Sequence, residues 1–98
     1  MATFVTTVKF TQQGIKAVGH TTDRAAALHS AAEKMGVTIK DTYWTLGDFD
    51  GLLILDAPDD ETAAAFLMHA ASQGNVQTTT TRAFTAEEMQ GVLAKMGS

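Results

Sequence analysis

The amino-acid sequence predicts an α+β fold, in which two helices cover one face of a four-stranded antiparallel sheet. Two observations lead to this fold class. Segments whose apolar residues recur every second position alternate with segments whose apolar residues recur every third or fourth position, in the order β-α-β-β-α-β. A glycine also follows each of the two predicted main helices, at Gly36 and Gly74. With 98 residues, we expect one domain that spans 1–98.

The first strand is predicted at residues 2–10. Phe4, Thr6, Val8 and Phe10 share one of its faces, and the β-branched and aromatic residues are typical of a sheet. A short helical turn is predicted in the segment 12–19, and it should end at Gly19 because glycine favours a helix end.

The first main helix is predicted from Thr22, which can cap it, with Asp23 in a first turn that favours negative charge. Its apolar stripe consists of Ala25, Leu28, Ala32 and Met35. The second strand is predicted at 37–46, with Val37, Ile39 and Tyr43 on one face and Trp44 and Leu46 on the other.

The segment YWTLGDFDG, residues 43–51, predicts a hairpin into a third strand at Leu52–Leu55, which is apolar on both faces and therefore central. Asp59 can then cap a second main helix. Its apolar stripe consists of Ala63, Phe66, Leu67 and Ala70. A threonine-rich fourth strand is predicted at 76–84.

A last helix follows the fourth strand. Thr85 and Glu88 have the spacing of a capping box. The apolar stripe of this helix consists of Met89, Val92, Leu93 and Met96. The complete order is the ferredoxin-like β-α-β-β-α-β arrangement with an added C-terminal helix.

The sheet face away from the helices carries apolar residues that need a cover. Val5, Trp44, Leu46 and one pair from the run 52–55 are expected there. A patch of that size is unusual on a monomer, so we expect the protein to be its own partner, in a homodimer or a larger oligomer.

The charge distribution excludes several classes of partner. The net charge is −4 and the seven basic residues are scattered, so we expect no nucleic acid and no membrane as a partner. The N-terminus has no pattern of a signal peptide and cysteine is absent, which favours a cytoplasmic location. His20, His29 and His69 lack metal-ligand spacing, so no metal site and no cofactor are predicted.

Candidate functional residues cluster in the hairpin. Asp48 and Asp50 can act as a pair in which one carboxyl has a raised pKa, although aspartate is also an ordinary turn former. Tyr43 and Trp44 should face opposite sides of their strand. Trp44 and Leu46 share a face, where they are expected to contact a partner subunit or a ligand. For both aromatic side chains, packing in the core or at an interface is one interpretation and direct contact with a ligand is the other.

Two further candidates lie outside the hairpin. His20, in a loop before a helix, is the histidine best placed to carry protons. Arg82, beside neutral threonines and on the face of Phe84, can bind a carboxylate ligand. The alternative for Arg82 is an ion pair with an acid such as Asp41 or Asp56.

Four phrases in their order resemble the GYD family of small bacterial proteins: FTQQGI at 10–15, YWTLGDFDG at 43–51, APDDE at 57–61 and GNVQTTTTRAF at 74–84. The family motif falls on Gly47, Phe49 and Asp50, with phenylalanine in the position of the family's tyrosine. The resemblance implies a fold of the dimeric α/β-barrel type, in which two sheets face each other, and it implies no particular activity.

Two functions remain open at this point. One is a small oligomeric module that binds a small molecule near a sheet-faced subunit interface or that serves assembly. The other is a cofactor-independent isomerase or monooxygenase in the same cavity, with Asp50, His20 or Tyr43 as proton carriers. The two differ in whether these three side chains converge.

Overall fold

The structure, a computed structural model, describes residues 1–97. Its elements are β1 Ala2–Phe10, α1 Gln12–Lys16, a 3₁₀ turn Val18–His20, α2 Thr21–Lys34, β2 Thr38–Trp44, β3 Gly51–Ala57, α3 Asp60–Ser72, β4 Val76–Ala83 and α4 Ala86–Met96. The four strands form one antiparallel sheet in the order β2-β3-β1-β4. The predicted α+β class, with four strands in one antiparallel sheet, is confirmed.

The core lies between the sheet and the two main helices. Phe66 of α3 and Leu55 of β3 are fully buried there. Thr6 of β1 is also fully buried, and its hydroxyl shares a hydrogen bond of 2.8 Å with the hydroxyl of Thr80. This bond satisfies the polar group inside the core, which would otherwise be costly. The alternation predicted for β1 is therefore confirmed, with Phe4 and Thr6 on the helix side.

A β-bulge in β2 changes which side chains face the helices. The pairing with β3 shifts between Ile39 and Asp41, so that Thr42 lies opposite the buried Leu53 and Trp44 lies opposite Gly51. An extra residue in one strand reverses the faces of all residues beyond it. The prediction that Tyr43 faces the core and Trp44 the open side was therefore wrong, because Trp44 lies on the helix side.

Local signals for helix ends were mostly correct. The carboxylate of Asp59 accepts a hydrogen bond of 2.7 Å from the backbone amide of Thr62 and caps α3. Thr85 and Glu88 form the predicted capping box of α4. The start predicted for α2 was wrong, since the helix begins at Thr21 without a side-chain cap. The 3₁₀ turn before it continues directly into the helix.

Helix α1 is fastened to the turn between α3 and β4. The backbone amide of Thr11 donates to the carbonyl of Asn75 at 3.0 Å, and the Thr11 hydroxyl donates to the carbonyl of Gly74 at 2.6 Å. Gly14 packs so closely here that a Cβ atom would lie 1.9 Å from the Asn75 carbonyl oxygen. Only glycine fits this approach without movement of the backbone.

Helix α4 projects from the rest of the fold. The radius of gyration is 14.8 Å, whereas a compact chain of this length has about 12.6 Å. Within residues 1–97, α4 makes no extensive contact with another element. Its predicted apolar stripe is consequently accessible, with Met89, Leu93 and Met96 all exposed.

Candidate functional site

A cavity of about 360 Å³ lies between the sheet and the two main helices. It occupies one end of the sheet, where β1 and β2 end and where β3 and β4 begin. The N-terminal half of α2 and the C-terminal half of α3 cover it. The cavity therefore lies on the helix side of the sheet, whereas the sequence had predicted one on the open side.

Small side chains explain why this end of the core is not filled. Ala25 of α2 and Ala70 of α3 face the sheet, and the opposing strand positions include Gly51 and Thr78. The space is partly open to solvent, so it is a cleft between α2, α3 and the sheet and not an enclosed void in the core. Its walls are mainly aliphatic, with contributions from Val8, Leu28, Leu53 and Leu67.

Polar side chains border the cavity on several sides. Arg24 is half-buried, and its guanidinium donates hydrogen bonds to the carbonyl of Ala17 at 2.8 Å and to the carbonyl of Gly14 at 3.2 Å. No acidic side chain within residues 1–97 forms an ion pair with it. Among the described residues, the polar contacts of the Arg24 guanidinium are thus with neutral carbonyl groups and not with a carboxylate.

Two side chains of β2 link the sheet to α2 at the cavity. The indole N–H of Trp44 donates to the hydroxyl of Thr21 at 3.0 Å. The hydroxyl of Thr42 lies 3.0 Å from Nε2 of His29. Trp44 therefore lines the cavity and bonds to α2, the helix that covers it. It does not lie with Leu46 on the open face, as had been predicted.

Asp50 has a structural contact at the end of β1. Its Oδ2 atom accepts a hydrogen bond of 2.9 Å from the backbone amide of Phe10. Its own amide donates to the carbonyl of Val8 at 2.8 Å, and its carbonyl accepts from the amide of Thr45 at 2.9 Å. The carboxylate borders the cavity, yet one of its oxygens is already used to join the hairpin to β1.

The remaining hairpin residues lie near the tip. Gly47 has φ +137°, a conformation that favours glycine. Leu46 and Asp48 are exposed, and the carbonyl of Phe49 accepts a hydrogen bond of 2.6 Å from the Thr45 hydroxyl. These contacts make the motif a connection between strands.

The three candidate proton carriers do not share one position. Tyr43 is 56% exposed, and its strand register directs it to the open face, although it also borders the cavity. His20 is exposed at the start of α2, where its Nδ1 lies 3.9 Å from a carboxylate oxygen of Asp23. Only Asp50 and Tyr43 border the cavity, and the structure does not bring His20 to it.

Arg82 is engaged by the chain itself. Its guanidinium lies 4.5 Å from the ring centre of Phe84 and 5.7 Å from that of Phe4, and it pairs with Glu88 at 3.2 Å. The backbone amide of Thr85, followed by the Arg82 guanidinium, lowers the pKa of the Glu88 carboxyl.

The predicted partners of Arg82 were therefore wrong. Asp56 instead accepts a hydrogen bond from Thr3 at 2.7 Å and lies 3.9 Å from the ammonium group of Lys40. The side chain of Asp41 faces the open side, opposite to the side of Arg82. Glu88, which lies in the helix that follows Arg82, takes their place because it is held close by the capping box.

Sequence reasoning missed the helix-side cavity and Arg24. A signal was present in the alanine-rich segments 25–27 and 63–65, which predict helices too slender to fill a core against threonines and glycine.

Among the described residues, no group of three histidine, aspartate or glutamate side chains could hold a metal ion. No helix within residues 1–97 is long and apolar enough to cross a bilayer.

Comparisons with known proteins agree with the fold. The profile of the GYD domain matches residues 4–93. A protein from Thermus thermophilus, named glutamine synthetase and cystathionine beta-lyase binding protein, is 28% identical over 90 residues, which cover 91% of this chain and 95% of that protein.

Two solved structures are similar in fold. The crystal structure of MtbAldR matches with a TM-score of 0.69 and 18% identity, over 86% of this chain and 52% of that one. The chain thus spans about half the length of MtbAldR. An ACT domain protein from Streptococcus pneumoniae matches with a TM-score of 0.50 and 16% identity, over 84% and 89% of the two chains.

Proposed function

The chain belongs to the GYD domain family, and from this premise we propose that it is a small binding module that associates with itself and with partner proteins. The uncovered face of the sheet is the observation that carries the proposal. Both main helices pack on the opposite face, so the open face has no cover from residues 1–97. Assembly would bury it.

The composition of the open face suits an interface. Val5 pairs with Ile54 at its centre, and Leu52 pairs with Tyr43 beside them. Threonines surround this centre at positions 3, 7, 79 and 81. Lys9 and Asp56 lie towards the ends of their strands, and Asp41 lies on the edge strand β2, where it pairs with Ile54. Interfaces commonly have such a centre without charge, enriched in aromatic side chains, within a polar rim.

The area of the sheet suggests that helix α4 also takes part. Four strands of about seven residues cover roughly 19 by 23 Å, or about 450 Å². A stable interface needs about 800 Å² from each partner, so the sheet alone is small. The projecting α4, with its exposed Met89, Leu93 and Met96, offers the additional apolar area.

Partner proteins other than a second copy are supported by the relative from Thermus thermophilus. Its name states that it binds two enzymes, and its length matches that of this chain. We therefore extend protein binding to this chain, in the form of an oligomer that presents a shared surface.

Catalysis without a cofactor is the alternative, and the geometry favours it less. It needs Asp50, Tyr43 and His20 to act together. One carboxylate oxygen of Asp50 holds the amide of Phe10, and His20 lies outside the cavity. Binding of a small molecule at a sheet-faced interface is also less favoured, because the described cavity opens on the helix side.

The oligomeric state tests the proposal. Native mass spectrometry and light scattering on the full chain at micromolar concentration should give a dimer or larger species. Ile54→Glu places a charge at the centre of the open face and should shift the population towards monomer, and Leu93→Glu on α4 should do so in part. Met68→Glu is the matched control, because Met68 is exposed on α3, away from the sheet.

A monodisperse wild-type monomer would refute the proposal. An oligomer that is weakened as much by Met68→Glu as by Ile54→Glu would refute the assigned surface. Circular dichroism of each variant checks that its fold is retained, so that a loss of assembly is not a loss of folding.

A further inference from the structure

We infer that the helix-side cavity is a binding site for a small apolar carboxylate. The cavity lies on the helix side of the sheet and the surface proposed for assembly on the other side, although Tyr43 and Leu52 border both. The two proposals are tested by separate measurements, ligand titration and oligomeric state. Its volume of about 360 Å³ falls within the range of about 300–1,000 Å³ of small-molecule sites. Such sites are mostly apolar with a few polar groups that orient the ligand.

The walls determine the apolar part of the ligand. Aliphatic side chains come from both helices and from the strands beneath them, among them Leu28, Leu67 and Val8. Transfer of an alkyl chain from water to these walls is favourable in proportion to its area. Small residues such as Ala25 and Ala70 provide the space. A longer side chain at either position would occupy the volume that the ligand needs.

The head group follows from Arg24. This cation is half-buried at the cavity, and no acidic side chain among residues 1–97 forms an ion pair with it. Its two carbonyl partners, on Gly14 and Ala17, hold the guanidinium in place without neutralising it. A partly desolvated cation gains from an anionic partner, and guanidinium binds carboxylates with particular strength.

Asp50 also borders the cavity, and it limits where the ligand's head group can lie. Its Oδ2 atom is committed to the amide of Phe10, and a second carboxylate beside it would be repelled. The ligand therefore places its carboxylate at Arg24 and its apolar part among the aliphatic walls. A ligand with a single anionic group can pair with the Arg24 guanidinium and keep that group away from the Asp50 carboxylate.

The full chain contains a natural reporter of binding, since Trp44 is the one tryptophan in the sequence and it lines the cavity. Hexanoate and octanoate are titrated while its emission is followed, with hexanol and octanol as uncharged probes of the same length. Octanoate should bind about fifteenfold more tightly than hexanoate, because each buried methylene contributes roughly fourfold. Each acid should bind about tenfold more tightly than its alcohol.

Variants locate the binding. Ala70→Leu should abolish the emission change by filling the cavity, and Ala25→Leu fills it from α2 if the first variant does not fold. Ala65→Leu is the matched control, because Ala65 is exposed on α3 outside the cavity and should leave the titration unchanged. Arg24→Gln should reduce the preference for the acid over the alcohol towards one.

Three results would overturn the inference. The first is the absence of any change in emission and melting temperature with either acid at millimolar concentration. The second is equal affinity for acids and alcohols, which would remove the role of Arg24. The third is unchanged binding in both cavity-filling variants, which would place the ligand elsewhere, for example on the exposed α4.

Discussion

Replacement of Asp50 by alanine is expected to destabilise the fold, because the carboxylate bonds to the backbone of β1. The bond from the amide of Phe10 is 2.9 Å long and partly buried, and a hydrogen bond to a charged group contributes about 1.5–3 kcal/mol. For a chain of this size, that loss corresponds to a fall in melting temperature of roughly 6–24 °C. Asp50→Asn keeps a neutral acceptor and should lose about 0.5–1.5 kcal/mol.

Urea unfolding followed by circular dichroism measures both free energies. Asp48→Ala is the matched control in the same turn, since no hydrogen bond joins the Asp48 side chain to another described residue. It should change stability by less than about 0.5 kcal/mol. If Asp50→Ala were as stable as the wild type, the structural role of this acid would be refuted, and a role in proton transfer would become the better hypothesis.

Gly14→Ala should lower the free energy of unfolding by about 2–4 kcal/mol in urea unfolding, since its Cβ would lie 1.9 Å from the Asn75 carbonyl oxygen. Gly19→Ala, with open space around it, should not be destabilising. Folding lowers the pKa of the Glu88 carboxyl, so its charged form stabilises α4. Helix content should therefore be kept above the pKa of the unfolded chain, about 4.3, and should fall as the pH drops through the lower pKa of the folded state. Circular dichroism should show this loss, and Glu88→Gln should reduce it. Arg82→Lys should cost about 1–2 kcal/mol in thermal unfolding, because lysine cannot both stack on the two phenylalanine rings and pair with Glu88. The first prediction would be contradicted if Gly14→Ala and Gly19→Ala were equally stable. The second would be contradicted by a helix content that does not depend on pH, and the third by an Arg82→Lys variant as stable as the wild type.

Interactions between residues close in sequence could be predicted before the structure was known. Asp59 caps α3 through an amide three residues later, and Thr85 meets Glu88 in the same way. The alternation along β1 likewise identified the buried Phe4 and Thr6. These patterns are reliable because helix caps and strand faces depend on backbone geometry over a few positions.

The faces of β2 and the position of the cavity required the assembled sheet and helices. The bulge between Ile39 and Asp41 is a property of the pairing between two strands, so the residue pattern of β2 alone does not predict it. It moved Trp44 to the helix side, beside the cavity that Ala25 and Ala70 leave unfilled. Whether small side chains leave a space depends on which surfaces meet, and only the packing of distant segments decides that.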